Sequence, residues 1–246
     1  MEQSVFLSVI IPAYNEEKRL PKTLESVCSW LASRPYSSEV IVVSDGSKDN
    51  TQKVAREFCA RYPFLQVLQY LPNRGKGYAT RFGMQKARGH YQVFTDADNS
   101  TSIEQWEKMI PEFEKGFEVV IGSRDIKGAI LDPPQPPWRR FIGNGFNLGI
   151  QILLGLWGIW DTQCGFKGFT QKASQAIFPK ARIDRFAFDP EILLLARKNK
   201  FKIKEIPVHW INDADSRVKG KTVLEMLKDA FRIKINDLTG KYESQN

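Results

Sequence analysis

The chain is poor in the residues that disulfide frameworks and zinc clusters require. Its three cysteines, Cys28, Cys59 and Cys164, are odd in number and widely separated. That pattern excludes both and points to a reducing compartment. Two histidines, His90 and His209, are too few for a histidine-based metal site. The lysines and arginines form no stripe with interleaved aromatics except near the C-terminus, which argues against a nucleic-acid module. Charge is missing altogether from Phe141 to Trp160. A stretch of that length raises the question of a membrane span. Its glycines (Gly143, Gly145, Gly149, Gly155, Gly158), with Asn144, Asn147 and Gln151, make it too polar and weakly helical for one. An amphipathic helix at a membrane interface, or facing an acceptor, is the better reading. Strand-like residues begin at Val5 after a short polar start, which speaks against a secretory leader.

What the chain does have is a basic surplus, Lys+Arg 36 against Asp+Glu 28. The resulting charge of +8 suits an anionic partner such as phosphate or acidic lipid, without choosing between them. Short apolar runs rich in β-branched residues alternate with helical patterns through the first half. FLSVIIPA, EVIVVS, LQVLQYL, YQVFTD and EVVIGS read as buried strands. LPKTLESVCSWL, DNTQKVAREFCARY, the segment after Gly77 and Ile103 to Phe113 read as helices, with Asp49 or Asn50 as an N-cap. Continuous apolar strands with helices between them predict an α/β fold with a mainly parallel sheet covered on both faces. Beyond Arg124, DPPQPPW reads as a Pro-rich loop. KTVLEMLKDAFRIKINDL reads as a basic amphipathic helix with Val223, Leu224, Leu227, Phe231 and Leu238 on one face.

In such sheets ligands bind beyond the carboxyl ends of the strands, where PAYNEE, SDGSKDN, DADNST and GSRD all fall. Asp96 and Asp98 end the run VFTDADNST, and like charges so close repel each other. On an extended backbone residues i and i+2 point the same way, so their oxygens can meet one hard cation, Mg²⁺ or Mn²⁺. The alternative is a solvated Asp-Asn turn. Asp45 either accepts the N–H of a nucleobase or serves turn chemistry. Pro12 and Tyr14 end the first strand, with Tyr14 placed to stack on a base and Glu16 to bind ribose. Glu16 and Glu17 would equally favour the next helix N-terminus. Arg74 to Gly77, RGKG, either cradles phosphate through Lys76 and backbone N–H groups or turns before a helix. Gathered on one edge, the bland readings become improbable together.

The motifs VIIPAYNEE, VIVVSDGSKDNT, NRGKGYATRFGMQKARG, DADNST and GSR resemble family 2 glycosyltransferases of the GT-A fold. DTQCGFKGF and RFAFDPEILLLARKNKFKIKEIPVHW are most similar to dolichyl-phosphate β-glucosyltransferases, with dolichyl-phosphate mannose synthases as near relatives. The resemblance spans Phe6 to Leu238. It implies one Rossmann-like GT-A catalytic domain over residues 1–246, with a nucleotide-sugar half to about residue 125 and an acceptor half with interfacial helices after it.

For the site it implies a nucleotide-sugar pocket from Pro12, Tyr14, Glu16 and Asp45, and a metal at Asp96 and Asp98. Ser100 stands where mannose synthases carry a further metal-contacting Gln. Arg124 and Arg139 match the family's acceptor-phosphate arginines, with Arg140 as the fallback, and Ser216 and Arg217 would neutralise the departing diphosphate. Asp161 is a general base if the acceptor is a hydroxyl. If the acceptor is a phosphate, Asp161 shapes the site or orients the sugar and Lys167. Cys164 is expected only to pack.

The implied reaction is inverting transfer of a hexose, glucose from UDP-glucose, onto polyprenyl or dolichyl phosphate. That acceptor is already ionised and needs cations rather than a base. GDP-mannose as donor, or a soluble hydroxyl acceptor, are the alternatives. Expected partners are the nucleotide sugar, the lipid phosphate and the cytoplasmic face of a membrane, bound peripherally, with no nucleic acid. Glucosyltransferases of this type often carry an N-terminal membrane anchor not found here, which leaves room for a membrane-protein partner.

Overall fold

The computed structural model describes residues 4–134, 137–211 and 220–243. The apolar runs become strands because their side chains alternate between two cores. On β1 (Leu7–Ala13), Val9 and Ile11 face one cluster while Ile10 faces the other. On β2 (Ser38–Asp45), Val40 and Val42 oppose Ile41 and Val43 in the same way. That period of two, buried on both sides, is the pattern of an interior strand.

Five further strands complete the main sheet: β3 (Leu65–Tyr70), β4 (Tyr91–Phe94), β5 (Val119–Ser123), and later β7 (Lys167–Thr170) and β8 (Ile203–Pro207). Their order is β3-β2-β1-β4-β7-β5-β8. All pairings are parallel except those of β7, which runs antiparallel between β4 and β5. Strands from both halves of the chain therefore share one sheet. A small parallel pair, β6 (Ile130–Asp132) and β9 (His209–Ile211), stands apart from it.

Helices α1 (Leu20–Ala32), α2 (Thr51–Arg61) and α4 (Trp106–Glu114) supply apolar residues to one core, including Leu24, Ala55 and Trp106. Helices α3 (Lys76–Lys86), α6 (Gln171–Ile177) and α7 (Phe188–Lys198) cover the other face, and α5 (Pro137–Leu154) and α8 (Gly220–Leu238) extend that layer. Asp49 holds the start of α2, because its carboxylate accepts the Thr51 N–H at 3.0 Å. The uncharged stretch expected as one helix ends at Leu154 and turns through Gly155 and Gly158, both at positive φ. Among the described residues no helix is long and apolar enough to cross a membrane.

Pro12 is tolerated inside β1 because the partner on one side has already ended. Pairing with β4 stops at Ile10 and Phe94, and Thr95 donates its N–H to the Ile10 carbonyl. The missing N–H of Pro12 faces the gap beyond that last bond. Order reverses at this gap, with β2 on one side of β1 and β4 on the other, and it is at such switch points that ligands bind in sheets of this kind.

Two glycines separate close packing from loose. A Cβ at Gly83 in α3 would lie 2.6 Å from Ile10 Cγ2 and 2.9 Å from Val43 Cγ2, whereas nothing stands within 4 Å at Gly149 in α5. Overpacking costs about 1–3 kcal/mol, against a helix-propensity gain of about 1 kcal/mol. Gly83→Ala is expected to lower the urea midpoint with an unchanged slope, and Gly149→Ala to raise it.

Candidate functional site

All four unusual loops do reach the carboxyl edge of the sheet, following β1, β2, β4 and β5. Because β7 is antiparallel, the residues before it, Asp161 to Phe166, arrive at the same edge. Asn147 of α5 ties that segment down by accepting the Thr162 hydroxyl at 2.8 Å.

Asp45 is buried at the end of β2, and its carboxylate is held by the end of β3 and the loop after it. Oδ1 accepts the Tyr70 hydroxyl at 2.9 Å and the Arg74 N–H at 2.7 Å. Oδ2 accepts Asn73 Nδ2 at 2.7 Å and the Gly75 N–H at 2.9 Å. A carboxylate offers about four lone-pair positions, so this set fills it. Asp45 was expected to read a nucleobase; here it fixes RGKG at the start of α3. The Arg74 guanidinium stacks 3.5 Å from the Tyr78 ring centroid beside it.

Tyr14 is half-buried beyond β1, and Glu16 is buried. Both Glu16 oxygens accept from Arg19, from Nε and Nη2, at 2.7 Å. Arg19 Nη1 is in turn 4.0 Å from Asp98 Oδ2. Thr23 donates to the Ala97 carbonyl at 2.7 Å, which pins the acidic turn against α1. The extended geometry expected of Asp96 and Asp98 does not extend that far, because β4 ends at Phe94 and residues 97–98 turn. The two carboxylates still crowd together. Burial and then the charge of Asp96 push the Asp98 carboxyl above its ordinary value. Ser100 gives Asp98 its N–H at 3.0 Å and its hydroxyl, and so supports that carboxylate.

Lys76 stands against Asp96, Nζ to Oδ1 at 2.5 Å. Burial alone would lower its pKa, but Asp96, Asp189 and Asp98 outweigh it and push the ammonium up. Gly165 backs Asp96 on the other side, where a Cβ would lie only 2.0 Å from Asp96 Oδ2. No group of three or more histidine, cysteine or acidic side chains suited to a metal occurs among the described residues.

Arg124 follows β5 and meets Asp161 through a bidentate pair, Nε to Oδ2 at 2.7 Å and Nη2 to Oδ1 at 2.8 Å. The N–H groups of Arg124 and Gln163 add bonds to the same carboxylate at 2.9 and 3.1 Å. Asp161 has no accessible surface. Burial would raise its pKa, but the Arg124 charge and these hydrogen bonds prevail and hold the carboxyl low. Glu205 of β8 fixes the backbone here by accepting the N–H groups of Trp160 at 2.9 Å and Asp161 at 3.0 Å.

The expectation that Asp161 orients Lys167 is corrected. Lys167 is fully buried and donates to Asp189 and to the Cys164 carbonyl. The Cys164 thiol, pushed up to about 11 by burial, remains protonated and packs as expected.

Arg139 and Arg140 fall in the first turn of α5, and their side chains lie outside the described residues, as do Ser216 and Arg217. Sequence reasoning passed over Arg19, Gly165, Asp189 and Glu205. Only Glu205, an acid in an otherwise strand-like run, carried a local signal.

Asp161→Asn leaves the Arg124 guanidinium without its anion. Removing one partner of a buried pair costs about 3–5 kcal/mol, and Arg124 sits at the low end because its side chain is 23% exposed. The folded carboxyl is held below its ordinary value, so the pair's stability is present above about pH 4 and is lost as pH falls through the folded pKa. Urea unfolding is expected to show a gap between wild type and Asp161→Asn at pH 7 that narrows below pH 4.

Residues 8–178 match glycosyl transferase family 2. A dolichyl-phosphate beta-glucosyltransferase of Trichomonas vaginalis is 38% identical over 244 residues, spanning 94% of this chain and 73% of that protein. The Homo sapiens dolichyl-phosphate beta-glucosyltransferase is 37% identical over 252 residues, spanning 95% and 76%. Among solved structures, glucosyl-3-phosphoglycerate synthase from Mycobacterium tuberculosis, in complex with Mn²⁺, UDP and glucosyl-3-phosphoglycerate, has the same fold. Its TM-score is 0.67 at 18% identity, over 98% of this chain and 81% of that one. Likeness of that extent places the chain in glycosyl transferase family 2, with relatives named dolichyl-phosphate beta-glucosyltransferases similar to it over nearly its whole length.

Proposed function

We propose that the chain transfers glucose from UDP-glucose to dolichyl or another polyprenyl phosphate, with inversion at the anomeric carbon. One observation carries the choice of a phosphate over a hydroxyl acceptor. Asp161, the natural candidate for a base, is buried, paired with Arg124 and held more acidic than usual. A general base works best with a pKa near the operating pH. An acceptor that arrives as an oxyanion needs none, and Arg124, whose Nε and Nη2 are engaged by Asp161, would hold it through Nη1. In this reading Asp161 positions Arg124, and Arg139 adds a second cation. Tyr14, Glu16 and the loop fixed by Asp45 receive the nucleotide, with Pro12 near the end of the strand beneath them. Ser216 and Arg217 serve the leaving diphosphate.

The acidic turn suits a divalent cation. Asp96 Oδ1 is buried without a hydrogen bond of sound geometry, and the missing Cβ of Gly165 leaves that carboxylate its place. Asp96 and Asp98 are the hard oxygen donors that Mg²⁺ or Mn²⁺ accepts alongside phosphate oxygens. A bound ion would neutralise charge on the departing diphosphate.

The acceptor half supports a lipid partner. Leu224, Leu227, Phe231, Ile235 and Leu238 form an exposed stripe on α8, while Met226, Ala230 and Ile233 face the protein. Leu148 and Ile152 on α5 are also exposed, as are Trp157 and Trp160 just beyond it. Lys228 and Arg232, exposed on α8, would favour anionic lipid. This is the composition of a surface that lies in the headgroup region, here at the cytoplasmic face of a membrane.

Label from UDP-glucose is expected to enter an organic-soluble product in the presence of polyprenyl phosphate and Mn²⁺. Water-soluble product would overturn the lipid acceptor, and transfer from GDP-mannose instead would overturn the donor. Arg124→Ala is expected to reduce kcat/KM for the lipid phosphate by about 10²–10³. Burying a large apolar side chain is worth about 1.5–3 kcal/mol, so Phe231→Glu with Ile235→Glu should weaken cosedimentation with anionic vesicles at least tenfold.

A further inference from the structure

Lys76 is placed as a substitute for a cation it would have to give way to. Its ammonium lies on Asp96 Oδ1, yet that buried oxygen has no hydrogen bond of sound geometry, so the contact is one of charge. Gly165 backs the same carboxylate, where a Cβ would lie 2.0 Å from Oδ2 and 2.7 Å from Oδ1. Another cation that approached Oδ1 would meet the Lys76 ammonium already there.

The backbone around it is fixed. Asp45 holds the N–H groups of Arg74 and Gly75, Ala79 donates to the Gly75 carbonyl, and Tyr78 donates to the Asp184 carbonyl. The lysine stem, by contrast, ends in a point charge on four flexible carbons. Its ammonium can move where its Cα cannot.

We propose that Lys76 is the resident counter-ion of the acidic turn and makes divalent-metal binding conditional on a diphosphate. The inference rests on the reading of Asp96 and Asp98 as metal ligands. An ammonium and a divalent ion repel each other at one carboxylate, so Lys76 suppresses metal binding while the site holds no other anion. A diphosphate offers the ammonium a new anionic partner and the metal further oxygens. Lys76 then leaves Asp96, and the metal takes it together with Asp98. Two protein carboxylates are few for Mg²⁺ or Mn²⁺, which fits a site completed by phosphate oxygens. By linkage, metal and diphosphate each tighten the other by the same factor.

Mn²⁺ binding to the full chain, read from the electron paramagnetic resonance of free Mn²⁺, tests this without turnover. Lys76→Met and Lys76→Gln are expected to bind Mn²⁺ alone about tenfold more tightly than wild type, within the usual range of site–site coupling. Their additional gain on adding UDP should shrink correspondingly. Lys76→Arg, which keeps the charge, should behave as wild type. If both neutral variants, with melting curves that show them folded, bind Mn²⁺ alone no better than wild type, the proposal is overturned. It is equally overturned if Lys76→Arg behaves like the neutral pair. Asp98→Asn serves as the control: if it leaves Mn²⁺ binding with UDP intact, the reading of the acidic turn as the metal site is what fails.

Discussion

A carboxylate taken out of water must be given a cation or a fan of donors, and the ligand edge of this sheet is organised by that requirement. Asp45 is answered by four donors, the Tyr70 hydroxyl at the end of β3 and three from the loop after it, Glu16 by Arg19, Asp96 by Lys76, Asp161 by Arg124 and Asp189 by Lys167. Each pairing also sets a direction. Asp45 fixes RGKG beside the end of β2, and Asp161 orients the guanidinium of Arg124. The edge is crowded with negative charge, yet nearly all of it is spent holding positive groups and N–H donors in place. Anionic ligands can then be met by an edge whose acids are already neutralised.

The strand between β4 and β5 joins the two halves of this arrangement. By running antiparallel, β7 brings the residues before it to the edge where the other strands leave their loops. That is how Gly165 comes to lie against Asp96, and how Asp161 comes to Arg124 from a helix-rich region far along the chain. The β1–β4 switch point and the residues leading into β7 thus meet at one edge.

Much of the frame was legible in the sequence because it is carried by local pattern. The apolar runs of β1, β2, β4 and β5 are buried on both faces, and no local alternative competes with them, whereas the edge strand β3 is only partly covered, with Gln66 and Gln69 exposed. The loops at their ends could be placed on one edge for the same reason. The four residues of β7 and the three each of β6 and β9 carry too little pattern to announce themselves. Side-chain pairing was less legible still. Nothing near Asp161 in sequence distinguishes Arg124 from Lys167 as its partner, and fold topology makes that choice. Asp45 was visible as important, but its donors lie at and beyond the end of the next strand, so its task could not be read locally. The apolar face of α8 was legible, whereas its outward direction depends on Met226, Ala230 and Ile233 being the residues that find the core.

Trp160 and Asp161 are neighbours with opposite surroundings: the indole is 58% exposed, and the carboxylate beside it has no accessible surface. Both backbone N–H groups hang from Glu205, so the two side chains cannot slide relative to each other without breaking that anchor. An indole resting at headgroup depth would therefore act as a plumb line, setting how high above the bilayer the guanidinium of Arg124 sits. A phosphate on a long prenyl tail would be met at a height set by a single peptide unit, whatever the length of tail below it.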